Sequence, residues 1–406
     1  MGVHSMFSNF FIRNVKDDII QGKEELEKAN IGKIYKESLK VDSVPPVQSL
    51  TQLGKKVKYR LVRCILCYTG QLSCYNSLWS CAFEPDINDP KKTTYISAVC
   101  GGESVYLINC LNGMILKLKY YRAEDFRAVA WTTVKLASGQ MLNLLAVAGK
   151  LKRIRLFHSH YLINYTVLNG HENEISCLTF HPSRPTVLFS GDRQANIYVW
   201  DINVPTRSKY CHYLLMRLTC PRPSFYPVLG LVVMPNYDTL LASCGDGIFA
   251  WTIKDFRRLL EGDKRPPTMM EIKIPTNHGP WFDGLARLSE NLVVVNSVEE
   301  GEIYVFDLGQ LLLSSMDPTV EGMKVVTAEV LGKMPWSEKE DIYINIAARP
   351  GLGAVICGDN KGDIWLYDLQ KYIANEESYQ KFNATSIKVC VKCIMIKKWF
   401  DLTRKI

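Results

Sequence analysis

The sequence predicts an all-β fold assembled from repeated four-stranded units. Three observations carry this. From about Val57 onward, short runs alternate apolar and polar residues and are punctuated by Gly, Asn, Asp and Pro, the pattern of strands and tight turns. One unit recurs: an apolar strand, a turn usually containing glycine, then a strand ending in an aromatic or aliphatic residue, often followed by Asp. Its end points lie 49, 43, 51, 55 and 61 residues apart, slightly above the roughly 40-residue period of propeller blades. The ending Trp200-Asp201 completes the signature of a WD-repeat β-propeller. The expectation is six recognisable blades plus an incomplete seventh, behind a short irregular or helical N-terminal arm.

Taken in order, residues 1–56 read as that arm: a basic linker, partly disordered or helical, interrupted by Val44-Pro45-Pro46 and without a leucine-rich period. Residues 57–406 read as the propeller, with Val57–Cys67 as the N-terminal strand that closes it. The repeating unit then appears at Cys100-Gly101-Gly102 to Ile108-Asn109, Ala148-Gly149 to Phe157, and Ser190-Gly191-Asp192 to Trp200-Asp201. It continues at Cys244-Gly245-Asp246 to Trp251, Asn296-Ser297 to Phe306-Asp307, and Cys357-Gly358-Asp359 to Tyr367-Asp368. The most typical unit begins at Gly170-His171 and carries His181-Pro182 after its first strand. There the turn Asp of a standard repeat falls at Gln194, so a weakened hydrogen-bond tetrad is expected. Ile387–Ile396 reads as the first strand of a seventh blade with no room for its successors, which leaves an exposed sheet edge.

Composition narrows the function classes. Hydrophobic residues are 47% and charged residues 22% of the 406, enough for a sizeable core and too apolar for whole-chain disorder. The net charge of +8 sits at the ends: net +4 over residues 1–60 and net +5 over residues 387–406, leaving the span between at −1. A near-neutral body with basic ends suits a globular domain beside a polyanion or another protein. No uncharged apolar run reaches the ~18 residues that span a bilayer, so no membrane partner is expected. Met6–Phe11 is too short for a signal peptide, and the 13 cysteines are then expected as reduced thiols.

Several motifs resemble known text. Trp79-Ser80-Cys81-Ala82-Phe83-Glu84-Pro85, Cys100-Gly101-Gly102-Glu103-Ser104, Ala128-Val129-Ala130-Trp131 and Leu145-Ala146-Val147-Ala148-Gly149 resemble one WD family, as does Cys357-Gly358-Asp359 to Tyr367-Asp368. That family is the leucine-rich repeat and WD repeat-containing proteins associated with the origin recognition complex. The resemblance runs over about Lys58 to Tyr372. A more distant similarity is to the embryonic ectoderm development protein, the WD subunit of Polycomb repressive complex 2. The resemblance implies a nuclear, non-enzymatic chromatin scaffold. Its partners would be origin recognition complex subunits and histone H3 or H4 tails bearing methyl-lysine, in heterochromatin and at replication initiation.

Methyl-lysine keeps its charge but loses donors, so its recognition falls to aromatic faces. By the resemblance, Trp79 and Tyr343 fall on two cage positions, exposed at one channel mouth, and the third falls on Arg127 with Phe126 just before it. A guanidinium ~5 Å from a methyl-ammonium opposes it by about 3 kcal/mol at an effective dielectric of 20. Either Phe126 takes the role, or Arg127 swings away, or the mark is not read. Inner-strand packing is the plainer role for Trp79 and Tyr343. Trp281, at the start of another inner strand, is a further candidate for the mouth or for simple packing.

Two basic clusters stand out. Lys150, Lys152, Arg153 and Arg155 in a blade turn could meet phosphate or acidic protein, or form a solvated strand face. Lys388, Lys392, Lys397, Lys398, Arg404 and Lys405 could touch nucleic acid non-specifically. Cys64/Cys67 and Cys390/Cys393 have CxxC spacing, but i and i+3 on a strand point to opposite faces, so no metal is expected. No phosphate-binding loop, GxSxG or HExxH is present, and Asp359-Asn360-Lys361-Gly362-Asp363 places a lysine where a calcium loop needs a ligand. No cofactor and no catalytic residue is expected. The alternative to the chromatin scaffold is a generic WD adaptor, for instance in a ubiquitin-ligase or trafficking complex.

Overall fold

Six sheets, antiparallel but for one parallel pairing, carry nearly all the secondary structure among the described residues of the computed structural model. These are residues 78–89, 92–159, 162–205, 210–220, 226–253, 267–277, 279–313, 317–320, 323–336, 344–359, 364–373 and 386–389. The first blade is β1 (Ser80–Pro85), β2 (Thr93–Gly101), β3 (Ser104–Asn109) and β4 (Met114–Tyr120). The second is β5 (Phe126–Lys135), β6 (Met141–Gly149), β7 (Arg153–His158) and β8 (Ile163–Asn169). The third is β9 (Ile175–His181), β10 (Arg184–Asp192), β11 (Asn196–Asp201) and β12 (Tyr213–Thr219).

The fourth blade, β13 (Val228–Met234), β14 (Thr239–Cys244), β15 (Gly247–Thr252) and β16 (Thr268–Lys273), carries two additional strands. The fifth is β17 (Phe282–Arg287), β18 (Leu292–Ser297), β19 (Glu302–Asp307) and, after an insertion, β22 (Val330–Pro335). That insertion holds helix α1 (Leu308–Leu313) and the strands β20 (Asp317–Val320) and β21 (Met323–Thr327). β21 pairs in parallel with β16 from Met270↔Lys324 to Lys273↔Thr327, so the fifth blade's insertion extends the fourth blade's sheet. The sixth blade is β23 (Ile346–Arg349), β24 (Ala354–Gly358), β25 (Ile364–Asp368) and β26 (Ser386–Val389), with helix α2 (Gln370–Ile373) between the last two.

This last pairing corrects one expectation. The strand beginning near Ile387 does not open a seventh blade: β26 is the outer strand of the sixth, in register Ile364↔Val389 to Tyr367↔Ser386. A sheet edge offers unpaired N–H and C=O groups to the nearest chain, and β25 supplies that edge. The arm 1–56 and Val57–Cys67 lie outside the described residues.

The packing explains the strand composition. Every residue of β13 and of β18 is buried, because inner strands pack on both faces and read as continuous apolar runs. Outer β4 is largely exposed and alternates apolar residues with lysine. The described chain falls into two compact units divided between Asn169 and Gly170, the first holding β1–β8 and the second β9–β26. In the first, Trp131 and Phe126 pack with Ala98 and Cys100, and Trp131 donates its indole N–H to the Ala82 carbonyl at 3.0 Å. In the second, the cores between blades are filled by residues such as Phe189, Phe249 and Trp251, and Tyr304, Phe306 and Met234.

The third blade corrects a second expectation. Its tetrad is fully formed, with Asp192 rather than residue 194 supplying the carboxylate. His171 Nδ1 lies 3.2 Å from Asp192 Oδ2, and His171 Nε2 lies 2.6 Å from Ser190 Oγ. The Trp200 indole N–H donates to the same Ser190 oxygen at 2.9 Å. Asp192 Oδ1 accepts the backbone N–H groups of Gln194 and Asn196, so the carboxylate also fixes the turn. Burial pushes the His171 pKa down against the pull of Asp192.

Candidate functional site

Phe126 and Arg127 lie at the start of β5 in the first unit, and Trp281 immediately precedes β17 in the second. Three strands, β5, β13 and β17, start with the same irregularity: a register shift between Phe126/Ala128, Val228/Gly230 and Phe282/Gly284. A β-bulge inserts one residue and re-aims side chains at a strand end. In β5 this sends Phe126 inward and Arg127 outward. Phe126 is 0% exposed, edge-on to Tyr121 with ring centroids 5.8 Å apart. Its faces are covered, so it cannot replace the missing aromatic wall, which corrects that option.

Arg127 does not swing away. Its guanidinium carbon lies 5.2 Å from the centroid of the Trp79 ring, and its Nη2 donates to Asp125 Oδ2 at 3.1 Å. Trp79 is half-buried, and its backbone N–H pairs with the Cys100 carbonyl at 2.9 Å. A cation held over an indole face, with its own carboxylate partner, is a formed cation–π contact of about 0.5–2 kcal/mol. Tyr343 lies outside the described residues. The structure therefore brings Trp79 and Arg127 together and buries Phe126.

The basic turn sits nearby in the first unit. Lys150, Lys152 and Arg153 are exposed, and Lys152 adopts a left-handed φ of 62°. Arg155 is half-buried, with its guanidinium 4.1 Å from the Tyr121 ring centroid, so it belongs to packing more than to a free basic surface. The turn is anchored by Glu124, which accepts the Leu151 backbone N–H at 2.8 Å and whose pKa is raised by burial. Gly149 is required at this spot, because a Cβ there would overlap the carbonyl of Asp125. The C-terminal cluster Lys388, Lys392, Lys397, Lys398, Arg404 and Lys405 and both CxxC pairs lie outside the described side chains. Asp359 accepts the Trp365 indole N–H at 2.8 Å, a structural use, and residues 360–363 lie outside the described residues. No group of three metal-ligating side chains converges among the described residues.

Trp281 holds a more definite place than the sequence indicated. Its indole N–H donates to Asp283 Oδ1 at 3.0 Å, and Asp283, the bulge residue of β17, is buried. Its ring meets Tyr226 edge-to-face at 4.9 Å. Sequence reading did not find Tyr226. The available signal was position, since it precedes β13 much as Trp281 precedes β17.

Comparison with known proteins agrees with the blade geometry. The profile described as "Leucine-rich repeat and WD repeat-containing protein 1, WD domain" matches residues 60–390. The chain belongs to this family. Among relatives of that name, the protein of Xenopus tropicalis is 33% identical over 319 residues, 75% of this chain and 44% of the relative. The human one is 32% identical over 306 residues, 73% and 45%. The chain thus spans less than half the length of these relatives. A Polycomb group protein, FIE1 of Zea mays, is 22% identical over 292 residues, 68% of this chain and 59% of that protein. Among solved structures, "Structure of U3-55K" aligns with a TM-score of 0.51 at 13% identity, covering 77% of this chain and 81% of the other. "Crystal structure of RRP9 WD40 repeats" aligns at 0.51 and 12% identity, covering 78% and 80%. Both carry the fold, a WD-repeat β-propeller. Membership makes the chain part of a WD scaffold family that is generally non-catalytic.

Proposed function

We propose that this chain is a nuclear, non-enzymatic chromatin scaffold that binds origin recognition complex subunits and methylated histone tails in repressive chromatin. The observation that carries the reading is the family match across residues 60–390. The FIE1 similarity supports the Polycomb-like side of it. In this role the blades supply rigid loops for protein contact, while Trp79 supplies one aromatic face for a methyl-ammonium. Tyr343 would supply another.

A second reading, a WD adaptor that does not read methyl-lysine, is favoured by one observation. Arg127 already covers the Trp79 face and is neutralised by Asp125. On either reading the contribution of this site is protein binding, not chemistry.

The test is capture of origin recognition complex subunits by the purified chain, run beside a panel of unmodified and trimethylated H3 and H4 peptides. Selective peptide binding lost in both Trp79→Ala and Tyr343→Ala supports the methyl-lysine reading. Capture of the complex with no peptide selectivity leaves the adaptor reading. A folded chain that captures neither overturns the proposal.

A further inference from the structure

We propose that the outer edge of the first blade, strand β4, docks an extended segment of a partner protein in which acidic and apolar residues alternate. The site lies within the first unit and uses neither Trp79 nor Arg127. It does not depend on the reading of histone tails.

β4 ends its sheet: among the described residues it pairs with β3 alone. A sheet edge carries unpaired N–H and C=O groups that a further strand can satisfy. The same chain shows such an addition on its fourth blade. There β21 joins β16 through four successive pairs, Met270↔Lys324 to Lys273↔Thr327, and Met270, Glu271 and Ile272 are buried. β4 offers a ladder of equal length. The register shift between Leu107 and Ile108 leaves four regular pairs: Leu107↔Lys117, Tyr106↔Leu118, Val105↔Lys119 and Ser104↔Tyr120. The apolar side chains of β4 reach solvent, with Met114 53% and Leu116 and Tyr120 each 39% exposed.

The side chains define the strand that fits. Residues paired across a sheet share a face, and successive residues alternate faces. Lys117 and Lys119 therefore stand on one face of the blade, and Leu118 and Tyr120 on the other. A strand laid along β4 continues both faces. It sets acidic side chains beside the lysines and apolar ones beside Leu118 and Tyr120, with the strand period of two.

Charge separates this edge from its counterparts. On the outer strand of the third blade, Arg217 lies 3.6 Å from Glu172. On that of the fifth, Lys333 lies 3.6 Å from Glu302. Lys117 is exposed and has no carboxylate partner among the described residues. Lys119 lies 5.9 Å from the centroid of the Tyr121 ring. Glu103, at the end of this edge, already accepts the Tyr120 hydroxyl and the Ala123 backbone N–H. The lysines also argue against a second copy of this chain as the occupant. Two β4 edges paired about Leu118 would set lysine against lysine, and like charges directly opposite destabilise a ladder.

The probe is a fluorescein-labelled ten-residue peptide that alternates glutamate and valine. Anisotropy measures its binding to the full chain, and amide hydrogen exchange locates it. Slowed exchange across residues 114–120 is expected. The same peptide N-methylated at every residue should not bind, because it cannot extend a ladder. Lys117→Glu, at an exposed position, should weaken the acidic peptide about threefold to tenfold. That variant should also bind a lysine–valine peptide more tightly than the parent chain does. Lys135→Glu, exposed at the end of β5, should change neither. Protection on another element overturns the assignment, as does equal binding of the N-methylated peptide or indifference to Lys117→Glu. So does no binding to a folded chain. Protection of residues 114–120 that grows with chain concentration in the absence of peptide would give the edge to a second copy and overturn it too.

Discussion

At the scale of single residues, the bulge in β5 decides more than residue type does. Phe126 and Arg127 are neighbours, and their order suggests nothing about which faces out. The one-residue shift sends the ring into the core and the guanidinium onto Trp79. Arg127→Ala should therefore uncover the indole and raise affinity for a trimethyl-lysine peptide, up to the roughly 3 kcal/mol of repulsion removed. Calorimetric titration checks this, and unchanged binding would show that the guanidinium does not obstruct the face. The same lesson applies to the tetrad. The repeat pattern places its carboxylate at Gln194, yet Asp192 reaches His171 because it leaves β10 at the turn. Asp192→Ala should cost about 3 kcal/mol or more, since it orphans a buried imidazole and two turn N–H groups. Gln194→Asp should gain nothing, and urea melts measure both. His181 adds a pH dependence. Burial, then nearby Arg184, lowers its pKa to about 4, and its Nδ1 accepts the Ser183 N–H at 3.1 Å. The depressed folded value means the unfolded chain takes up the proton first. Stability is whole above the unfolded pKa near 6.5 and falls as pH drops toward 4, by at most about 3 kcal/mol. His181→Gln should flatten that part of the stability–pH curve. These side chains were visible in the sequence, but their directions were not, because direction is set by bulges and turns that no period reports.

Elements were more legible, and the exceptions have a physical cause. The six blades follow from apolar strands, glycine turns and aromatic endings, features fixed by local chemistry. The spacings of 55 and 61 residues signalled extra chain late in the sequence, without saying where it goes. The first of these spacings spans the connection to β16 and the second spans the insertion carrying α1, β20 and β21. A strand that joins a neighbouring blade's edge reads no differently from one that joins its own, because pairing is a tertiary choice. The same ambiguity made β26 look like the start of a seventh blade. The consequence of the β16–β21 pairing is testable. Val326 is 3% exposed and packs with Ile272, Ile274 and Met270. Val326→Asp would place an unpaired charge there, and a loss of about 2–5 kcal/mol in urea denaturation is expected, the scale of a damaged core. A change within about 0.5 kcal/mol, typical of a surface site, would show that the added strands lie on the sheet without securing it.

For the whole molecule, the decisive quantity is where charge sits. The body between residues 61 and 386 is near neutral, while residues 387–406 carry net +5. Within the body, the turn after β6 presents Lys150, Lys152 and Arg153, whereas the turns after β14 and β18 present Asp246 and Glu299. Sequence arithmetic found the first of these features directly, since charge adds without regard to folding. It missed the second, because assigning charges to turns requires the strand positions. If the C-terminal cluster contacts DNA, binding releases counterions, and log K falls with log salt by about 0.9 per phosphate contacted. Replacing Lys392, Lys397, Lys398, Arg404 and Lys405 with Gln should then weaken duplex binding and make that slope shallower. The same replacement at Lys150, Lys152 and Arg153 should do less, because three exposed charges on one turn span few phosphates. Electrophoretic shifts at several salt concentrations read both slopes. A slope unchanged by the C-terminal replacement but flattened by the turn replacement would move the DNA contact from the tail to the second blade. Equal slopes in all three proteins would mean that neither basic cluster meets the duplex, and that the charge excess serves protein partners instead.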